Sequence, residues 1–153
     1  MYKIRDTLYY ESQSFEDTTL LGTFIDNHDN QRFLYVTPSD ALLESAVTYT
    51  LFGLGIPIIY YGTEQYYSGG NDPYNREVLW TSMDTSSTMY QHLAILNQVR
   101  KDYQTYNTAH VERWCDDNFY AFTRGDVLIT LTNDDSGATQ YREIAYHDFY
   151  PGQ

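Results

Sequence analysis

Residues 19–61 constrain the fold more than any other part of the chain, because they set a strand, a helix and a second strand in one short run. TLLGTFID (19–26) is apolar almost throughout, and IPIIYY (56–61) is β-branched and aromatic, the composition of strands covered on both faces. Between them, TPSDALLESAVTYTLFGLG places Leu43, Val47, Leu51 and Leu54 on one stripe at helical spacing. Thr37 is positioned to cap this helix, with Pro38 at its first position and Asp40 three residues beyond the cap. Gly53 and Gly55 end it. Strand, helix and strand within about forty residues make a βαβ unit, so the two strands are parallel.

The rest of the chain falls on either side of this unit. Residues 1–18 are polar and weakly periodic, as in the end of a helix followed by a loop. After Tyr61 comes GTEQYYSGGNDPYNREVLW, an irregular stretch of a length that in a compact domain is usually functional. A second amphipathic helix over 86–103 lines up Met89, Leu93, Leu96 and Val99, with Ser86 or Ser87 as its cap. Beyond Tyr106 the period changes to two: HVERWC, NFYAFTRG, DVLITLTN and TQYREIAYHDF alternate with turn residues, predicting an antiparallel meander.

Charge narrows the partners. There are 21 Asp and Glu against 9 Lys and Arg, a net charge of −12. Nucleic acid and anionic membrane surfaces both require a basic footprint, which this chain lacks. No run is long and apolar enough to span a bilayer, and the first fifteen residues hold no apolar signal-peptide core. Aromatic side chains make up 17% of the residues, Tyr leading with 17; a Tyr ring offers a flat apolar face with a polar tip, suited to a sugar ring as well as to ordinary packing. Cys115 is alone and is expected to behave as a small buried hydrophobe. His92, His110 and His147 are isolated, and no cluster with metal-ligand spacing is present.

The stretch GTFIDNHDNQRF (22–33) raises the functional question, because an apolar strand runs directly into Asp26, Asn27, His28 and Asp29. Asn and Asp supply turns; strand ends in barrels and open sheets also carry sites. GIPIIYYGTEQYYSGGNDPYNREVLW follows about thirty residues later, and the two motifs in this order and spacing resemble the α-amylase family of retaining glycoside hydrolases, with the nearest likeness to its fungal-type members.

The resemblance implies a partial (β/α)8 TIM barrel followed by part of an antiparallel β-sandwich. Residues 1–106 would be the C-terminal part of the catalytic barrel, with strands seven and eight at 19–26 and 56–61 and helices seven and eight at 38–54 and 86–103. Residues 107–153 would begin domain C. By the same resemblance Asp29 is the carboxylate that stabilises the distorted sugar ring, and His28, Asp72 and Arg76 bind the substrate, an α-glucan or maltooligosaccharide. The nucleophile Asp and the acid Glu are expected upstream, on strands four and five, as are the ligands of the calcium ion expected in a complete parent; no cofactor is expected in this chain. Secretion is inherited from the family alone.

Blander readings compete at each position. Asp72 lies in NDPYN, a turn-forming sequence, and Arg76 could form a structural ion pair. Tyr66, Tyr67 and Tyr74 could stack on glucose rings or simply pack. Asp26 and Glu64 are set aside as an acid–base pair, since the family places that pair elsewhere. The resemblance implies first an α-amylase cleaving internal α-1,4 bonds of starch or glycogen; the alternatives are a cyclomaltodextrinase, glucosidase or transglycosylase, or a non-catalytic carbohydrate-binding protein. A quarter of a barrel is expected to leave sheet edges open and the helix faces of Leu43, Val47, Leu51, Leu93 and Leu96 partly exposed.

Overall fold

A computed structural model describes residues 1–144. Helix α1 (Tyr2–Ser14) leads to strand β1 (Gly22–Thr23), the short helix α2 (Phe33–Val36), helix α3 (Asp40–Phe52), strand β2 (Ile56–Pro57), helix α4 (Thr88–Asp102) and strands β3 (His110–Cys115), β4 (Phe119–Arg124) and β5 (Val127–Thr132). β1 and β2 pair in parallel, Gly22 opposite Ile56 and Thr23 opposite Pro57. The βαβ reading therefore holds, with strands shorter than their apolar runs. Gly55 is needed where the chain turns from α3 into β2: its φ is +101°, and a Cβ there would strike the Leu21 carbonyl, which accepts the Ile56 amide at 2.7 Å.

Helix α3 starts two residues later than its sequence suggests. The Thr37 amide closes α2 onto the Phe33 carbonyl, so Thr37 ends one helix instead of opening the next. Ser39 is the cap, its hydroxyl accepting the Leu42 amide at 3.3 Å. Ser87 precedes α4 as expected, but its hydroxyl donates to the Glu64 carbonyl and caps nothing.

The helix faces expected to be exposed are covered. Leu43, Val47, Leu51, Met89 and Leu93 are buried in one cluster with Tyr120, Phe122, Ile129 and Leu131, and Leu96 and Val99 pack at its margin. The antiparallel sheet β3–β4–β5 supplies the cover, folding back over α3. Arg124 fastens the layers: its buried guanidinium donates to the Thr105, Phe52 and Gly53 carbonyls, so β4 satisfies the free end of α3. Openness lies elsewhere, on Leu20, Phe24, Ile56 and Ile58 of the parallel pair and its flanks, which sequence composition would bury. Central strand β4 is covered on both faces, against the one-sided burial that a period-two pattern implies. Residues 139–144 form no strand, and the remainder of that expected strand, with His147, lies outside the described residues. Cys115 is half-buried at the margin of the core, and burial raises its thiol pKa.

One isolated histidine matters for stability. The His110 ring stacks on Phe122 with centroids 4.1 Å apart and 12° between planes, and its Nε2 lies 3.0 Å from the Tyr120 hydroxyl. Burial, then the nearby Arg124 charge, lowers its pKa to about 4. Because the folded value lies below the unfolded one of about 6.5, the neutral ring favours folding fully above pH 6.5 and loses that contribution as pH falls toward 4. The melting temperature is expected to drop between pH 7 and pH 4.5, and His110→Phe to flatten that drop. An equal drop in the variant contradicts the assignment.

Candidate active site

Parallel pairing of β1 with β2 brings the segments that follow their C-terminal ends side by side. The first of these, 24–33, is the polar motif; the second, 58–77, is the irregular stretch. Asp26 leads the polar cluster but is buried and used structurally. Its Oδ1 accepts the Phe33 amide at 2.7 Å, and its Oδ2 accepts the Thr63 hydroxyl at 3.2 Å. Glu64 is also committed, accepting the Gly62 amide at 2.8 Å. Both carboxylates thus serve the local fold.

Arg32 is the hub between the two segments, and its side chain is 0% exposed. Nε donates to Glu77 Oε2 at 2.7 Å and Nη1 to the Tyr61 carbonyl at 2.9 Å, with Asp26 Oδ2 3.9 Å away. The guanidinium also lies over the Tyr60 ring at 4.4 Å and within 5.3 Å of the Tyr61 and Tyr67 ring centroids. Glu77 completes the tie by accepting the Gly69 amide on Oε1 at 2.6 Å, while the Arg32 amide donates to the Gly69 carbonyl. Gly69 has no room for a side chain here, since a Cβ would run into the Tyr74 carbonyl.

On this support the expected site residues come together. Asn27 Oδ1 accepts the Asp29 and Asn30 amides at 2.8 and 3.0 Å, a turn closed by an Asn side chain. It presents His28 and Asp29 outward, 62% and 74% exposed, with His28 Nε2 3.4 Å from Asp29 Oδ1. From the second segment, Arg76 Nε pairs with Asp72 Oδ1 at 2.7 Å, and Arg76 Nη2 donates to the His28 carbonyl at 3.3 Å. Asn75, fully buried, donates through Nδ2 to the His28 and Asn30 carbonyls at 2.9 and 2.7 Å. His28, Asp29, Asp72 and Arg76 thus share one polar surface, with two carboxylates, a guanidinium and an imidazole open to solvent. Such a surface can give and accept several hydrogen bonds with a polyhydroxylated ligand.

The turn reading of Asp72 and the ion-pair reading of Arg76 are both visible as well: the Tyr74 amide donates to the Asn71 carbonyl, and the Arg76 amide to the Pro73 carbonyl. Among the tyrosines, Tyr66 packs against the core, and the Tyr67 hydroxyl donates to the Val78 carbonyl and accepts from the Ser82 hydroxyl. Tyr74 keeps an open ring. Arg32, Asn75 and Glu77 were not singled out from the sequence. Their signal was slight: a cation between Asn30 and Phe33, and an amide and an acid on either side of Arg76.

Residues 1–136 match the family model described as alpha amylase, catalytic domain. The chain belongs to the α-amylase family. Alpha-amylase 1 of Lipomyces kononenkoae is 55% identical over 85 residues, which are 55% of this chain and 14% of that protein. Alpha-amylase 2 of Schwanniomyces occidentalis is 37% identical over 145 residues, 90% of this chain and 29% of the relative. Among solved structures, an alpha-amylase from Malbranchea cinnamomea superposes with a TM-score of 0.82 at 38% identity, covering 87% of this chain and 30% of the other. The chain therefore spans under a third of the length of these relatives. Family and neighbours give it a TIM-barrel-type fold and an affiliation with glycoside hydrolases, and one neighbour, an alpha-amylase from Geobacillus thermoleovorans, was solved in complex with acarbose.

Proposed function

We propose that residues 1–106 are the last part of a retaining α-amylase barrel, with β1 and β2 belonging to strands seven and eight and α3 and α4 to helices seven and eight, and that residues from 107 begin domain C. The parent cleaves α-1,4-glucosidic bonds of starch or glycogen. One observation carries this reading: His28 and Asp29 are held to Asp72 and Arg76 through the His28 carbonyl, beyond the C-terminal ends of two parallel strands, where barrel enzymes build their sites.

Retention requires a nucleophile and an acid about 5 to 5.5 Å apart; these are assigned to an Asp and a Glu on strands four and five of the parent. Asp29 grips hydroxyls of the sugar being cleaved and favours its flattened, positively charged ring, so its contacts strengthen as the bond breaks. His28 hydrogen-bonds the same sugar, and Asp72 with Arg76 binds hydroxyls beside it, the guanidinium fork giving direction as well as charge. Among the described residues no group of three or more His, Cys, Asp or Glu could hold a metal ion; the calcium of the parent is assigned to ligands elsewhere in the parent. Extracellular action is part of the same proposal.

The 153-residue chain alone is expected to show no hydrolysis of starch or nitrophenyl maltosides above background. Turnover by the purified chain that Asp29→Asn abolishes would contradict the division of labour. Relatives that include the cyclomaltodextrin glucanotransferase of Thermoanaerobacterium thermosulfurigenes, 38% identical over 126 residues, favour a transglycosylase as the second reading. Product analysis of the complete enzyme separates the two: linear maltooligosaccharides support the amylase, cyclic or transferred products the alternative.

A further inference from the structure

We propose that Asn75 is a positioning residue for Asp29, coupling the second motif to the orientation of the carboxylate in the first; this rests on the role given to Asp29 above. The backbone around Asp29 is held from both sides. Its own amide and that of Asn30 donate to Asn27 Oδ1, at 2.8 and 3.0 Å. The carbonyls on either side of it, those of His28 and Asn30, accept the two hydrogens of Asn75 Nδ2, at 2.9 and 2.7 Å. Asp29 therefore sits at the crest of a turn whose donors are satisfied by one Asn and whose acceptors are satisfied by another, 45 residues beyond Asn30. The exposed carboxylate has no other described support than His28.

Asn75 suits this role because it is enclosed and held by contacts of its own. It is fully buried, and the Tyr60 hydroxyl donates to its backbone carbonyl at 3.4 Å. Its amide nitrogen carries two hydrogens and so serves both carbonyls without bringing a charge into the buried site. Arg76 adds a second donor to the same His28 carbonyl from the neighbouring position. Removal of Nδ2 frees the turn to rotate, and a displacement of about 1 Å at a reacting group can lower the rate roughly a hundredfold.

The test is a double-mutant cycle in the complete enzyme, using an activated aryl maltooligoside so that slow variants stay measurable. Asn75→Ala is expected to lower kcat about thirty- to a hundredfold with a much smaller change in KM. In an Asp29→Asn background the same substitution is expected to change kcat less than about threefold, because the group it positions is gone. Asn75→Leu keeps roughly the volume but not the donors, brings no buried charge, and serves where the alanine variant fails to fold; it is expected to show the same pattern. An equal loss of kcat in both backgrounds overturns the positioning role and leaves Asn75 a scaffold residue. If Asp29→Asn itself leaves turnover within a few-fold of the parent, the role of Asp29 falls, and that of Asn75 with it.

Discussion

Asp29→Asn in the complete enzyme is expected to lower kcat about a thousandfold while KM changes only a few-fold. Contacts that strengthen in the transition state of glycoside hydrolysis supply several kcal/mol, and about 4 kcal/mol corresponds to three decades in rate. The substitution is clean in structural terms. The side chain is 74% exposed, its partner is His28, and the turn beneath it is held through backbone amides that Asn retains. No buried group loses a partner, so the melting temperature should not move. His28→Ala is expected to weaken both turnover and the binding of a ring-distorted inhibitor, because its hydrogen bond goes to the sugar and not to the leaving group. Arg76→Ala is less informative, since it removes an exposed ion pair of small worth together with a donor to the His28 carbonyl. Turnover of Asp29→Asn within a few-fold of the parent would return His28 and Asp29 to the status of turn residues.

Arg32→Met is expected to give the largest loss of stability, about 3 to 5 kcal/mol, the usual cost of removing one partner from a buried charge pair. Asp26, buried beside it, and Glu77, partly buried, would be left without their cation, and the Tyr61 carbonyl without its donor. The aromatic faces of Tyr60, Tyr61 and Tyr67 would lose the guanidinium they surround. For a protein of this size the loss corresponds to a fall in melting temperature of roughly 10 °C. Adding Glu77→Gln should recover part of it by removing the uncompensated charge. A melt of Arg32→Met within about 2 °C of the unsubstituted protein would show that the two motifs are held together by something other than this ion pair.

The elements of the fold were legible wherever one physical rule governed a long stretch. Leu43, Val47 and Leu51 announce α3 because a helix that buries one face must repeat at that spacing, and the short connection to β2 leaves parallel pairing as the outcome. Its first residue was not legible, because Thr37 is claimed by α2, a helix of one turn with no periodicity to reveal it. Which faces are covered was also misread. Residues 119–132 fold over α3 and complete the cluster that buries the facing side chains of α3 and α4, a long-range choice no local window contains, while Leu20, Phe24, Ile56 and Ile58 remain open despite a composition suited to burial.

The candidate site divides in the same way. His28, Asp29, Asp72 and Arg76 could be found because two motifs recur in order and spacing. Their support could not: Arg32 and Glu77 meet across 45 positions, and Asn75 reaches His28 across 47. Nothing in either loop's own sequence states that its partner is the other. Once the strands are paired, the meeting follows from their register.

The most direct test of the central claim, that both motifs serve one sugar site, is a crystal structure of the complete enzyme bound to a ring-distorted oligosaccharide inhibitor. The expected result has Asp29 and His28 within hydrogen-bond distance of hydroxyls on the distorted ring, Asp72 and Arg76 on the same or the adjoining ring, and Asn75 still bridging the His28 and Asn30 carbonyls. An inhibitor bound in the barrel with Asp29 and His28 facing solvent, away from every sugar ring, would contradict it.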